Sequence, residues 1–361
     1  MLINIDQSVV EHLFQSNNSD ALAFVEDLCR ARRKGIHCIY IKKRLAMRML
    51  GCKSLGELQI ATLKRIMHDS TYMNSLHSLV SENVVFFSSA INKSASDKWI
   101  DICDYEDSYL KTSYLQSPKV VFENINDAMI YKKVCEWYLY QVLELNSYKV
   151  SFEPINGGGD TTANVCESLL KEGIAFSVCD SDKKSPSCEV GETARKTKEV
   201  FSKYGRSSNF ILIEAHEVEN LIPLDLYKEC AREQQMPIIN FLEKAVGLQP
   251  CCYGYFDMKK SFKYKEIWGG NKTYSDYWRC IFERVELEGF EIGESRINQS
   301  DEGVKVNGTI LNNLSVVSKF AAQKLSSMRV EELKLNGVER TWNEIGVKLF
   351  DWFVSHDKIR L

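Results

Sequence analysis

The chain has no Cys-x-x-Cys pair, although it carries 12 cysteines, of which only Cys251 and Cys252 are adjacent. Its Cys and His spacings match no zinc finger or ribbon, which excludes those structural zinc modules. No apolar run reaches membrane-spanning length, and the opening MLINIDQSVV has neither a basic flank nor a hydrophobic leader segment. The expectation is a cytoplasmic protein that makes no membrane contact, with reduced and mostly buried thiols. Strong charge of either sign is also missing: 46 Lys and Arg stand against 49 Asp and Glu, a formal charge of −3. A surface basic all over is thereby excluded, and any nucleic-acid-binding face must be local. No repeat or low-complexity linker interrupts the 361 residues, a length that allows two or three domains.

What is present is an α/β pattern. Residues 1–117 read as an N-terminal α/β module, with strands at MLINI, HCIYI and VVFFSS and helices at SDALAFVEDLCRARRK and LGELQIATLKRIM, the latter with a Ser54–Glu57 capping box. Basic residues from Arg30 to Arg65 give this module a local positive bias, open to two readings: a phosphate-contacting face or solvated helix faces. Asp6 follows the first strand as a single acid. Segment 96–116 is acidic and aromatic and reads as helix, and Pro118 starts the next strand. Residues 118–225 alternate strand and helix, which predicts a parallel sheet covered by helices on both faces, with functional groups at the carboxyl ends of the strands. Residues 226–361 read as a mainly helical C-terminal region.

Acids fall where that sheet would present them. Glu123 ends KVVFE and Asp127 lies four residues on; Asp180 and Asp182 end IAFSVCDSD; Glu217 and Glu219 follow FILIEA. Residues two apart in extended chain share a face, so Asp180 and Asp182 are expected to point together. Grouped carboxylates repel unless cations neutralise them, and an oxygen-only donor set selects Mg²⁺ or Mn²⁺, one ion or two. Such a centre suits phosphoryl chemistry. Lys183 or Lys184 is placed to meet a phosphate, and the turn Gly157–Gly158–Gly159, before a helix capped by Asp160, would let backbone amides approach an anion. In the basic–aromatic stretch after Cys252, Lys259, Lys260 and Lys263 are candidates to follow a nucleic-acid backbone while Tyr255, Phe262 or Tyr264 stack on bases.

The order E-x-x-x-D, glycine-rich turn, D-x-D over 118–225 resembles a TOPRIM domain. It is most similar to TOPRIM nucleases of the overcoming-lysogenization-defect type and their relatives in bacterial anti-phage systems. The resemblance implies metal ligation by Glu123, Asp127, Asp180 and Asp182, with Glu217 and Glu219 as a later acidic element. It implies a Mg²⁺-dependent endonuclease acting in defence on nucleic acid, DNA ahead of RNA. A regulatory ATPase or sensor subunit, and further copies of the chain, are the partners it suggests. The family often has glycine after the glutamate, where this chain has Asn124. Two alternatives stay open: a non-catalytic nucleic-acid-binding or regulatory subunit, and a TOPRIM enzyme of primase or topoisomerase type.

Overall fold

The computed structural model describes residues 1–92, 99–270, 272–298 and 301–359. Apolar and β-branched runs form two parallel sheets. The first joins β1 (Leu2–Ile5), β2 (Cys38–Tyr40), β3 (Asn83–Phe87) and β4 (Trp99–Asp101) in the order β2-β1-β3-β4. Strand β4 lies in the stretch expected to be helical, where the helix is confined to Tyr109–Ser113; residues 96–98 of that stretch lie outside those described. The expected Ser54–Glu57 box is also absent, because helix Glu57–Ser70 starts from Gly56 with no side-chain cap.

The second sheet contains β5 (Lys119–Phe122), then β7 (Glu153–Asn156), β8 (Ala175–Cys179) and β9 (Phe210–Leu212), all parallel, in the order β7-β5-β8-β9. The run YKVSFEPI, expected as one strand, is split into β6 (Tyr148–Val150) and β7. Side chains alternate across this sheet as the period of two requires. Val121 and Ala175 face helices Thr162–Glu172 and Glu192–Lys203, packing with Cys166, Leu170 and Phe201. Val120, Phe122, Phe176 and Val178 join the main core on the other face. There Phe122 stacks on Tyr131 at 5.3 Å, and Phe176 meets Trp352 and Phe353 of the last helix, Glu339–Phe353, at 4.7 and 5.4 Å. Burial of each such ring contributes about 1.5–3 kcal/mol.

The C-terminal region carries the expected helices, among them Met236–Leu248, Ser275–Leu287 and Ser315–Ser327. It also contains an unforeseen antiparallel sheet of β10 (Ile292–Asn298), β11 (Asp301–Val306) and β12 (Thr309–Ile310). Its second turn is Asn307–Gly308, with both φ values positive at 49° and 74°, the dipeptide that suits a tight hairpin. Strand β13 (Val354–His356) pairs with β6, so the last helix and strand belong to the central layer structure. Part of the N-terminal basic bias is taken up by local ion pairs. Arg32 is buried against Asp69 at 2.6 Å, Arg65 joins that carboxylate at 2.9 Å, and Arg30 pairs with Glu26 and Asp27.

Candidate metal centre

Strands β5, β8 and β9 end side by side, and each passes into a turn that carries acids. Glu123 follows β5, and Asp127 closes the short 3-10 turn Ile125–Asp127. The Asn124 amide donates to Asp127 Oδ2 at 3.1 Å, and the Asn126 amide donates to Asn124 Oδ1 at 3.0 Å. Asn124 itself has φ −128°, extended backbone that any residue adopts. One oxygen of Asp127 is thus fixed, and the turn tolerates asparagine.

The glycine turn has a different task from the one its sequence suggested. The Gly157 amide donates to the Phe122 carbonyl at 2.7 Å, and those of Gly158 and Gly159 donate to the Glu123 carbonyl at 3.1 and 3.2 Å. Those amides are committed to the end of β5, so they do not form a phosphate cradle. A Cβ on Gly157 would lie 2.8 Å from that Phe122 carbonyl and 2.4 Å from Thr162 Oγ1, which explains glycine there. The turn clamps Glu123. Asp160 makes no cap bond to the helix Thr162–Glu172.

At the end of β8 the Asp180 amide donates to Glu123 Oε1 at 3.2 Å, and the Tyr131 hydroxyl reaches Asp180 Oδ1 at 3.4 Å. Ser181 Oγ donates to the Ala215 carbonyl at 2.6 Å and the Asp182 amide to the His216 carbonyl at 2.9 Å, tying this turn to the chain after β9. Asp182 has φ +55°, left-handed backbone. The extended alternation expected for Asp180 and Asp182 therefore does not apply; a turn, not a strand face, delivers the second carboxylate. A Cβ on Gly191 would come 2.1 Å from Asp182 Oδ2, so glycine leaves that carboxylate its space.

Electrostatics unite the six acids. Burial, then the charge of Asp182, pushes Glu123 up to about 7, against the Asp180 amide bond that opposes it. Burial, then the charge of Glu219, pushes Asp127 up to about 7. Asp180 is raised well above the carboxylate range by burial, then by Glu123, Asp127 and Glu219. Like charges facing one another in a partly dry site have this effect. Among the described residues no Lys or Arg forms an ion pair with Glu123, Asp127, Asp180 or Asp182.

Glu217 and Glu219 flank the start of the 3-10 segment Val218–Leu221, and both act on Asp127. They do have a cation. Lys259 Nζ lies 2.8 Å from Glu217 Oε2 and 3.2 Å from Glu219 Oε1. Lys259, although exposed like Lys260 and Lys263, is turned to the acidic cluster by these two ion pairs. Phe262 is buried among Phe241, Phe256, Trp278 and Phe282 and is not free to stack on a base, and the Tyr264 ring stacks on Trp268.

Lys184 also departs from expectation. Its ammonium is 3.0 Å from Asp257 Oδ2 and lies over the Tyr274 ring, turned to a neighbouring group. Lys183 has only a loose contact, 3.8 Å, with the exposed Glu214. Asp257 escaped the sequence reading. It meets His216 Nε2 at 3.6 Å, and burial, which would raise its carboxyl, is outweighed by His216 and Lys184, which hold it well below the usual range. His216, Glu217 and Asp257 are the one set among the described residues whose potential ligand atoms already lie within 4.8 Å of one another. Lysines compensate both of its carboxylates, which sets it apart from the four unpaired acids. The motif FDMKK offered the only signal, an acid just before two lysines.

A cavity of about 590 Å³ opens beside β9, bounded by Glu214, Tyr253, Tyr255, Arg340 and Thr341. Among the described residues no helix is long and apolar enough to cross a membrane. No family model, curated protein or solved structure matches the chain.

Proposed function

We propose that this chain is a divalent-metal-dependent nuclease with a TOPRIM-like central sheet, hydrolysing phosphodiester bonds of DNA in preference to RNA. One observation supports the reading: Glu123, Asp127, Asp180 and Asp182 lie at the carboxyl edge of a parallel sheet, near enough to act on one another's charge, and no Lys or Arg among the described residues forms an ion pair with them. Their donor set is oxygen only, which fits Mg²⁺ or Mn²⁺. When bound, such an ion would supply a water of lowered pKa and neutralise charge on the phosphoryl oxygens. The chain's own groups do the positioning. The glycine turn and the Asp180 amide hold Glu123, the Asn124 amide orients Asp127, and Gly191 leaves room for Asp182. Lys183, loosely held, would turn to a phosphate; Lys184 would not, since Asp257 engages it. Anti-phage defence, with an ATPase or sensor subunit restraining the nuclease, is the setting proposed.

The test is cleavage of plasmid, single-stranded DNA and RNA in Mg²⁺ or Mn²⁺. Wild type is expected to cleave and to stop on chelation; Asp180→Ala and Glu123→Ala are expected to be inactive. Equal cleavage by the variants would refute the assignment. A second reading has one observation in its favour: Lys259 forms ion pairs with both Glu217 and Glu219, as in a degenerate site that needs no ion. Under that reading the chain binds nucleic acid equally well in chelator and never cleaves it.

A further inference from the structure

Lys259 reaches the acids from a loop that is fixed on both sides. Asn220 Nδ2 donates to the Tyr253 and Phe256 carbonyls at 2.7 and 2.9 Å, the Met258 amide to Glu217 Oε1 at 2.7 Å, and the Lys259 amide to Asp257 Oδ1 at 3.1 Å. The ammonium then sits between two carboxylates, 2.8 Å from Glu217 and 3.2 Å from either oxygen of Glu219. Its charge also draws on Glu123, Asp127 and Asp180. The six acids are thus split: among the described residues two form ion pairs with a resident cation, and Glu123, Asp127, Asp180 and Asp182 form none.

Two-metal phosphodiesterases place two ions about 3.5–4 Å apart, dividing the attacking and leaving oxygens between them. We infer that Lys259 stands in for the second of these ions, so that the centre takes one divalent cation on Glu123, Asp127, Asp180 and Asp182 and presents the Lys259 ammonium as its other positive charge. The inference rests on the metal-site reading above. Glu217 and Glu219 are then the holders of Lys259, not metal ligands. A second ion would have to expel an ammonium that is already hydrogen-bonded to both, and lysine is well suited to this place as a compact charge on a flexible stem.

The experiment is a Mn²⁺ titration of the full chain by calorimetry, with electron paramagnetic resonance of the loaded protein. Wild type is expected to bind one Mn²⁺ with the spectrum of an isolated ion. Lys259→Met is expected to bind two, with spin coupling between them, and to lose roughly 10–100-fold in any cleavage rate. Lys259→Arg keeps the charge and is expected to stay at one ion. Two coupled ions in wild type, or a single ion in Lys259→Met, would overturn the inference while leaving the metal site standing. Absence of Mn²⁺ binding in both proteins would overturn the metal-site reading itself, and this inference with it.

Discussion

In the N-terminal sheet β1 lies between β2 and β3 with β4 outermost; in the central sheet β5 lies between β7 and β8 with β9 outermost. Along the chain both orders are second, first, third, fourth, and both sheets are parallel. An acid follows the first strand of each, Asp6 after β1 and Glu123 after β5. Their surroundings are opposite. Asp6 Oδ1 accepts from the Ser8 amide at 2.9 Å and the Ser8 hydroxyl at 2.5 Å, so it serves as a helix cap. At the end of β4, burial would raise Asp101, but hydrogen bonds from Ser89 and Cys103 prevail and hold it below the ordinary range. Glu123, Asp127 and Asp180 are instead pushed up, first by burial and then by one another. The same topology places acids at the same edge twice. Local donors decide whether an acid is used by the fold or left for a ligand.

The largest contrast is between the paired positions. Glu123→Gln is expected to lower metal-dependent cleavage by at least ~100-fold, since it removes a proposed ligand. Asp6→Ala is expected to leave the cleavage rate within about twofold while costing about 0.5–2 kcal/mol as a lost N-cap. Steady-state cleavage and urea unfolding of both variants would decide it, and equal losses of activity would erase the distinction.

A smaller effect is expected at the clamp. Gly157→Ala should destabilise by about 1–3 kcal/mol, because the new Cβ meets the Phe122 carbonyl and cannot be relieved by a rotamer change. Cleavage should fall about tenfold as Glu123 shifts, whereas Gly205→Ala, where a Cβ meets nothing within 4 Å, should cost only its left-handed φ of +65°.

The mildest test is pH in chelator. An acid raised in the folded state keeps protons that the unfolded chain has released, so it costs stability as pH rises from its ordinary value towards the folded one. For Glu123 and Asp127 that window runs from about 4 to about 7, with no further loss above it. Asp101 has the reverse sign: its contribution is present above the ordinary carboxylate value and is lost as pH falls through the folded one. Glu123→Gln should flatten the decline between pH 5 and 7.5, and Asp101→Asn should not. Unfolding midpoints across that range provide the measurement.

The alternation of apolar strand and amphipathic helix made the central parallel sheet and three of the four N-terminal strands legible, because strands covered on both faces must be continuously apolar, as in IAFSVC. The positions of Glu123 and Asp180 followed from that alone. Strand β4 was hidden, since Trp99–Asp101 is short and is stabilised by its neighbour β3 rather than by its own pattern. The hairpin turn Asn307–Gly308 carried a usable signal that the surrounding helices outweighed. At the site, the lysines were harder to read than the acids. A carboxylate after a strand has its place set by the strand, but Lys184 and Lys259 take theirs from Asp257 and from Glu217 and Glu219, tens of residues away in the chain. The glycine turn was found, yet its purpose depended on which carbonyls its amides meet.

The central claim is that unpaired carboxylates at the edge of β5 and β8 hold a divalent ion. Anomalous diffraction from a Mn²⁺-soaked crystal tests it most directly. The account predicts a peak with oxygens of Glu123 and of Asp180 or Asp182 at about 2.0–2.6 Å. A peak among His216, Glu217 and Asp257 instead, or none at the edge of the central sheet, would contradict it.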